Sequence, residues 1–292
     1  MVAESRMPRV SIAVKTACWL LYLLLIGTAN SVMAQTPSPM QEWQYSGGVI
    51  LERLFQPDAA EWRRVVGAAA ELQPSYSGAK TYKVQGGPAV DIFYRDRFFF
   101  STGEGLGVNL IRASHVQAGV SLSYDMGRRE KQNYTNLRGM GNIDPAPVVK
   151  VYASWALSRK LPLVLRVDAR QFIGGAQGAV GDISIYTPLP GSSSKFVMFA
   201  GPSLTLATHH YLQVMYGVTP QQAAATGHPV YRFDRNGTVS AGIGFSATRI
   251  FSDHWLLNFE GAYSQFRGHP AHSPVVLNDD QKLATLSLDY QW

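Results

Sequence analysis

Cysteine is nearly absent: the chain of 292 residues holds one, Cys18. A single thiol excludes an intrachain disulfide and a cysteine metal cage. Charge is scarce as well, at 16% Asp, Glu, Lys and Arg against roughly 25% in an ordinary soluble domain, which excludes a charge-rich disordered chain. Sustained hydrophobicity is also lacking. The mean hydropathy of -0.06 argues against a bundle of membrane helices. What is present is 46% hydrophobic residues with 27 Gly, 14 Tyr, 13 Phe and 6 Trp, the apolar residues dispersed among polar ones. The length allows one large β domain or two ordinary ones.

The first 34 residues read as a secretory signal peptide. Arg6, Arg9 and Lys15 supply a positive start, Ala17 to Ile26 an apolar stretch too short for a stable span, and Val32-Met33-Ala34 a permissive cleavage site before Gln35. An N-terminal membrane anchor is the alternative. Cleavage after Ala34 removes Cys18 and lowers the formal net charge from +6 to +4, an ordinary surplus that does not call for nucleic acid. A cofactor site is not expected either.

The remaining chain repeats one pattern. In Val116 to Met126, Val116, Ala118, Val120, Leu122, Tyr124 and Met126 alternate with Gln117, Gly119, Ser121, Ser123 and Asp125. Period two gives a strand one apolar and one polar face. The pattern returns over Leu161 to Ala169, Val239 to Arg249 and Trp255 to Tyr263, and more weakly over 62–72, 84–94, 98–111, 147–158, 179–188 and 195–208. No helical period is sustained. A soluble sandwich would carry more charge on its outer faces and shorter strands. Strands of about 10 residues with apolar-out alternation and terminal aromatics suit a transmembrane barrel, whose closure pairs the backbone within lipid.

The chain ends LATLSLDYQW, with Leu286, Leu288, Tyr290 and Trp292 on one face, which looks like the closing strand read by the barrel-assembly machinery of bacterial outer membranes. If that strand ends in the periplasm, short turns at 112–114, 159–160 and 252–254 fall there too. The long segments 127–146, 209–236 and 268–281 then lie outside. These segments make eleven strands, and bacterial barrels are normally even, so a twelfth is expected at Trp43 to Leu51. The expected fold is therefore an all-β, antiparallel up-and-down barrel of 12 strands over 61–292, with 35–60 as an N-terminal segment. Ten strands is the alternative.

Several stretches together resemble the MipA/OmpV family of outer-membrane proteins: DRFFFSTGEGLGVNL (Asp96 to Leu110), YDMGRRE (Tyr124 to Glu130) with LRGMGNID (Leu137 to Asp144), GPSLTLA (Gly201 to Ala207) leading to YGVTPQQAAATGHPVY (Tyr216 to Tyr231), and AHSPVV (Ala271 to Val276). They stand in family order from about residue 60 to the end; residues 35–60 lie outside the resemblance. The resemblance implies a barrel in the outer membrane of a Gram-negative cell, surrounded by its lipid. It also implies a scaffold that joins a lytic transglycosylase to a bifunctional penicillin-binding murein synthase.

The polar faces present Asp125, Lys150, Arg166, Asp168, Arg170 and Glu260 to the lumen, and their mixed signs favour mutual pairing over an open selective channel. Gly103, Gly105 and Gly107 open no helix, so they make no phosphate loop; they leave room for side chains from neighbouring strands. A Ser-His pair with an acidic third member would mark a lipid hydrolase, and His209, His210, His228, His269, His272 and Ser273 with Asp279 and Asp280 are available. All fall in loops, without the spacing of a structural zinc site, so no catalytic or metal residue is assigned. A scaffold would recruit partners through 35–60, the turn near 74–83 or the barrel rim, since the other periplasmic turns are short. The competing function is a passive or solute-selective pore, or an adhesin acting through the outer loops.

Overall fold

The computed structural model describes residues 61–113, 115–157 and 163–292. Twelve antiparallel strands follow one another around a closed barrel: β1 (Trp62–Pro74), β2 (Tyr82–Tyr94), β3 (Phe98–Ser101), β4 (Gly105–Ala113), β5 (Val116–Asp125), β6 (Ala146–Ala156), β7 (Val164–Phe172), β8 (Ala179–Pro188), β9 (Phe196–Ala207), β10 (Gly237–Ile250), β11 (Trp255–Phe266) and β12 (Asp280–Gln291). The last strand returns to the first in a register running from Val65 opposite Gln291 to Leu72 opposite Ala284.

Alternation separates two surfaces. On β6, Val149, Val151 and Trp155 face out and are exposed, while Lys150, Tyr152 and Ser154 face in and are buried. The outer wall continues with Ile183, Ile185, Leu286 and Leu288, and the inner wall with Arg166, Arg170, Ser184 and Ser287. Such a molecule is inverted relative to a water-soluble domain and matched to lipid, where closure leaves few backbone groups unpaired. Aromatic rings collect at the end that holds the C-terminus. The Trp62 and Tyr94 rings lie 4.6 Å apart, Trp255 and Tyr290 5.1 Å, and Tyr290 and Trp292 5.8 Å, the placement of an interfacial girdle.

The twelfth strand is not the one expected. Residues 98–111, read as one strand, are a hairpin of β3 and β4. Ser101 turns the chain, its hydroxyl accepting the N–H groups of Gly103 and Glu104 at 3.2 and 3.3 Å. Gly105 completes the turn at φ +80°, where a Cβ would lie 2.2 Å from the Leu122 carbonyl oxygen. Alternation persists through a tight turn, so the pattern hid it. With β1 paired to β12, ten strands is excluded, and Trp43 to Leu51 lie outside the described residues.

The additional turn also reverses everything N-terminal to it. The loop 75–81 does not share an end with the short turns; it packs among the long loops. The Gly78 carbonyl accepts the Leu277 N–H at 2.8 Å, and the Ser77 and Tyr216 hydroxyls are 2.9 Å apart. Those loops contain short helices where none was expected: α1 (Tyr134–Leu137), α2 (His209–Tyr216) and α3 (Pro220–Thr226). Two turns are too few for a helical period to show. The local signal for α3 is nevertheless written in Thr219-Pro220-Gln221-Gln222: the Thr219 hydroxyl accepts the Gln222 N–H at 3.2 Å, the Gln222 side chain accepts the Thr219 N–H at 2.9 Å, and Pro220 starts the helix.

Candidate functional site

The lumen of the barrel is filled on one side by an ion-paired network. Strands β6 and β7 place Lys150 opposite Arg170, Tyr152 opposite Asp168 and Ser154 opposite Arg166. Three cations on adjacent strands would repel one another in a desolvated interior, and Asp168 of β7 itself with two carboxylates from neighbouring elements answers them. Glu104, on the turn between β3 and β4, reaches Lys150 Nζ at 2.6 Å and an Arg166 guanidinium nitrogen at 3.1 Å. Arg170 pairs with Asp168 at 3.5 Å and with Asp182 of β8, whose other oxygen accepts the Thr205 hydroxyl at 2.5 Å. The Tyr152 ring lies under the Arg166 guanidinium at 5.2 Å and donates its hydroxyl to Asn109 at 2.5 Å. Small residues make the space: a Cβ on Gly119 would stand 2.6 Å from the Tyr152 hydroxyl, and one on Gly107 2.2 Å from the Phe99 ring.

Four of the six residues expected in the lumen thus lie together on β6 and β7, Lys150 and Arg166 sharing Glu104, and Arg170 pairing with Asp168 and Asp182. The sequence reading missed two carboxylates. Glu104 was hidden because its turn was read as strand. Asp182 was legible, since Val180, Asp182, Ser184 and Tyr186 alternate with outward residues and Asp182 falls directly opposite Asp168.

Glu260 stands apart from this network. In the strand order, β12 and β1 lie diametrically across the barrel from β6 and β7, and there the inward groups are mainly acidic. Glu71 and Glu260 flank Thr285 on a single row across β1, β12 and β11. Glu260 accepts the Asn258 side-chain N–H at 2.8 Å, and Asp289 accepts the Ser287 hydroxyl at 2.7 Å. Asp125, half-buried, closes the top of β5, its carboxylate held by the Met126 and Gly127 N–H groups in the field of Arg170.

Above the lumen the loops form a roof. The junctions β1–β2, β5–β6 and β9–β10 are spaced by four strands, one third of the circumference each, yet all three touch pairwise. Asn133 donates to the Thr81 hydroxyl at 2.9 Å, Arg128 to the Met215 carbonyl at 2.7 Å and Gln222 to the Met140 carbonyl at 2.6 Å, while Tyr216 meets Ser77. Loops rooted at such separations can all meet only over the mouth. Their contact is a small apolar core of Tyr76, Ala79, Leu137, Met140 and Val218, joined by Val275 of the β11–β12 loop. Arg128 lies beneath it, buried, with Tyr76, Tyr211 and Tyr216 in its field. Burial lowers the Arg128 pKa from its usual value and, against the pull of that cation, raises the Tyr76 and Tyr216 hydroxyls to about 12.

The loop histidines lie at the surface of these loops, with His210, His269 and His272 exposed. The His209 and His210 rings are 4.0 Å apart and tilted, His209 Nδ1 lies 3.3 Å from Asn236, and the His269 and Tyr231 rings are 4.9 Å apart and tilted. Ser273 donates to the Tyr216 carbonyl at 2.5 Å and accepts the Val275 N–H at 3.1 Å, a turn-forming role. Asp280 accepts the Tyr263 hydroxyl at 2.5 Å. Among the described residues no three His, Asp or Glu side chains gather to hold a metal ion. Leu286, Leu288, Tyr290 and Trp292 all face outward on β12 and its terminus. Ala34 and Gln35 lie outside the described residues.

A closed antiparallel barrel with an apolar exterior, an aromatic girdle and an ion-paired interior defines an outer-membrane β-barrel protein. The family model for MltA-interacting protein MipA matches residues 66–292, and the chain belongs to that family. No curated protein sequence matches it. Among solved structures it is similar to the CymD monoaromatic hydrocarbon channel, at 8% identity over 88% of this chain and 97% of that one with a TM-score of 0.43. It is also similar to the Pseudomonas putida toluene transporter TodX, at 9% identity over 84% and 93% with a TM-score of 0.38. The N-terminal barrel domain of Pseudomonas aeruginosa OprF aligns at 6% identity over 80% and 98% with a TM-score of 0.26. These likenesses are of general architecture.

Proposed function

We propose that this barrel works by its surface and not by passage: a non-enzymatic docking component of the outer membrane of a Gram-negative cell, serving murein turnover or envelope maintenance. The observation that carries the reading is the roof. Three loops meet over one mouth, and on the β6–β8 side of the lumen below them Lys150, Arg166 and Arg170 are already matched by Glu104, Asp168 and Asp182, an arrangement that favours a structural interior over a selective channel. In this reading the signal peptide of residues 1–34 is cut between Ala34 and Gln35, and Leu286, Leu288, Tyr290 and Trp292 are read by the barrel-assembly machinery. The partners are those implied by the family, a lytic transglycosylase and a bifunctional penicillin-binding murein synthase.

The turn near 74–83 belongs to the roof, so the periplasmic docking surface is the opposite rim, with residues 35–60 leading into it. Among the described residues that rim exposes Arg95, Arg97, Arg112, Lys195 and Arg249 against Glu61 and Asp253. A rim with that basic surplus draws an acidic partner surface. Two measurements test the proposal. In planar bilayers the purified barrel stays silent, and affinity purification from intact envelopes recovers murein enzymes with the parent but not with Arg97→Glu/Arg249→Glu. Stepwise conductance that disappears on changing Arg166 or Arg170 would establish the pore instead.

A further inference from the structure

We infer that the outward face of β1, at the end of the barrel that holds the C-terminus, binds the phosphate of an anionic phospholipid of the inner leaflet, with Arg64 as its counter-charge. Alternation along β1 turns Trp62 and Val66 outward, 45% and 41% exposed, and Val65 inward, 7% exposed. Arg64 therefore stands on the outer wall, half-buried, opposite the outward Ile92 of β2. It lies one outward step deeper than Trp62, where the wall becomes apolar. A cation on a lipid-facing wall is costly unless it reaches the headgroup level or meets an anion. Among the described residues no carboxylate pairs with it, and Glu61, near in sequence, is held by Arg95 at 2.6 Å.

Aromatic rings surround this arginine. Its guanidinium carbon lies 4.9 Å from the centre of the Trp62 ring, and that ring lies 4.6 Å from Tyr94. On the other side Trp292 donates its N–H to the Arg64 carbonyl at 3.1 Å, and its ring is 5.8 Å from Tyr290. Tyr290 in turn lies 5.1 Å from Trp255 and 5.3 Å from His254. The rings form a shelf over β2, β1, β12 and β11 with Arg64 in its middle. Such rings settle at the level of lipid headgroups, which places the Arg64 guanidinium there as well. Beyond it the wall is low along β1, where Ala68 and Ala70 stand opposite Leu288 and Leu286 of β12.

The occupant has to answer both features at once. A guanidinium matches a phosphate with two parallel N–H bonds, and the low wall beside it suits an acyl chain; a phospholipid carries both in one molecule. An ethanolamine or choline headgroup would add a cation to a shelf that already has Arg64 and, exposed near the end of β10, Arg249, so the headgroup is an anionic one. A segment of this chain entering at Glu61 could reach Arg64 only by lying on the wall with its backbone groups unpaired in lipid. A second copy docked face to face about a two-fold axis would set its own Arg64 against this one, like charges in a poorly screening medium. The site belongs to the lipid-facing wall and does not depend on the docking reading.

The purified barrel in phosphatidylcholine vesicles reports on the site through its own tryptophans, since Trp62, Trp255 and Trp292 are exposed on the shelf. Quenching of their fluorescence by brominated phosphatidylglycerol, against brominated phosphatidylcholine, is expected to show a preference of about fivefold, the factor for one arginine at an anionic surface. Arg64→Gln and Arg64→Leu, the second suited to a lipid-facing wall, abolish the preference, with heat-modifiable gel mobility reporting that each is folded. Lys282→Gln, at the opposite end of the wall on β12, leaves it unchanged. No preference in the parent, a preference kept in both Arg64 variants, an equal fall with Lys282→Gln, or quenching by neither lipid, as when another copy or a partner protein covers the shelf, would overturn the inference.

Discussion

Glu104 is the position where a single atom-level change should be felt most. Its carboxylate serves Lys150 at 2.6 Å and Arg166 at 3.1 Å, and those side chains are 3% and 2% exposed. At an effective dielectric near 20, each contact carries a gross attraction of about 5–6 kcal/mol, most of which is offset by desolvating the three groups. The net consequence of removing one member of a buried pair is about 3–5 kcal/mol, because the remaining charge stays buried. Glu104→Ala is expected to cost at least about 3 kcal/mol on that basis. Glu104→Gln keeps an acceptor without the charge and should fall between. Glu104→Ala/Lys150→Met removes one stranded cation and should recover part of the loss, a non-additivity that a merely steric defect would not produce. The measurement is urea unfolding of the barrel from lipid vesicles, followed by tryptophan fluorescence and by heat-modifiable gel mobility. A Glu104→Ala barrel within about 1 kcal/mol of the parent, or a double variant no more stable than the single one, would refute the reasoning.

Two further outcomes follow from the terminal strand and the roof. Deleting Trp292, whose N–H donates to the Arg64 carbonyl at 3.1 Å across the β1–β12 closure, should reduce the folded barrel in outer membranes several-fold, as heat-modifiable protein on gels reports; parental levels would count against the terminal strand as an assembly signal. The roof should loosen in alkali. Tyr76 and Tyr216 are held at about 12 against an ordinary 10.0, so unpacked loops ionise first; the stability these hydroxyls contribute is complete below the ordinary value and is lost as pH rises through about 12. Delayed phenolate absorbance, with protease sensitivity of the loops appearing over that range, is the check.

The barrel and its two faces were legible because alternation is a local property. Val149, Lys150 and Val151 announce out, in and out without reference to any other strand. The same local rule misled at Ser101 to Gly105, where a turn keeps the pattern while reversing the chain. That one turn left the count of twelve standing but changed the location of the twelfth strand and the end to which 75–81 belongs. The short helices escaped for a related reason: α2 and α3 are held by the roof that they help to build, and only the cap at Thr219 is written locally. Of the lumen charges, Lys150, Arg166, Asp168 and Arg170 could be named from alternation and Asp182 was open to the same reading, whereas Glu104, in a turn that keeps the strand pattern, was not.

By itself, then, the sequence determined a chain with one surface for lipid and one for a polar interior, closed by an aromatic-ended strand, since these depend only on the order of apolar and polar residues. The tertiary structure alone decided who meets whom. Glu104 and Arg166 are 62 residues apart, and Tyr76 and Val275 199. Those distances close only when strand number and register are set around the whole barrel. Likewise the convergence of three loops over the mouth is a consequence of closure, a property of the ring and not of any segment within it.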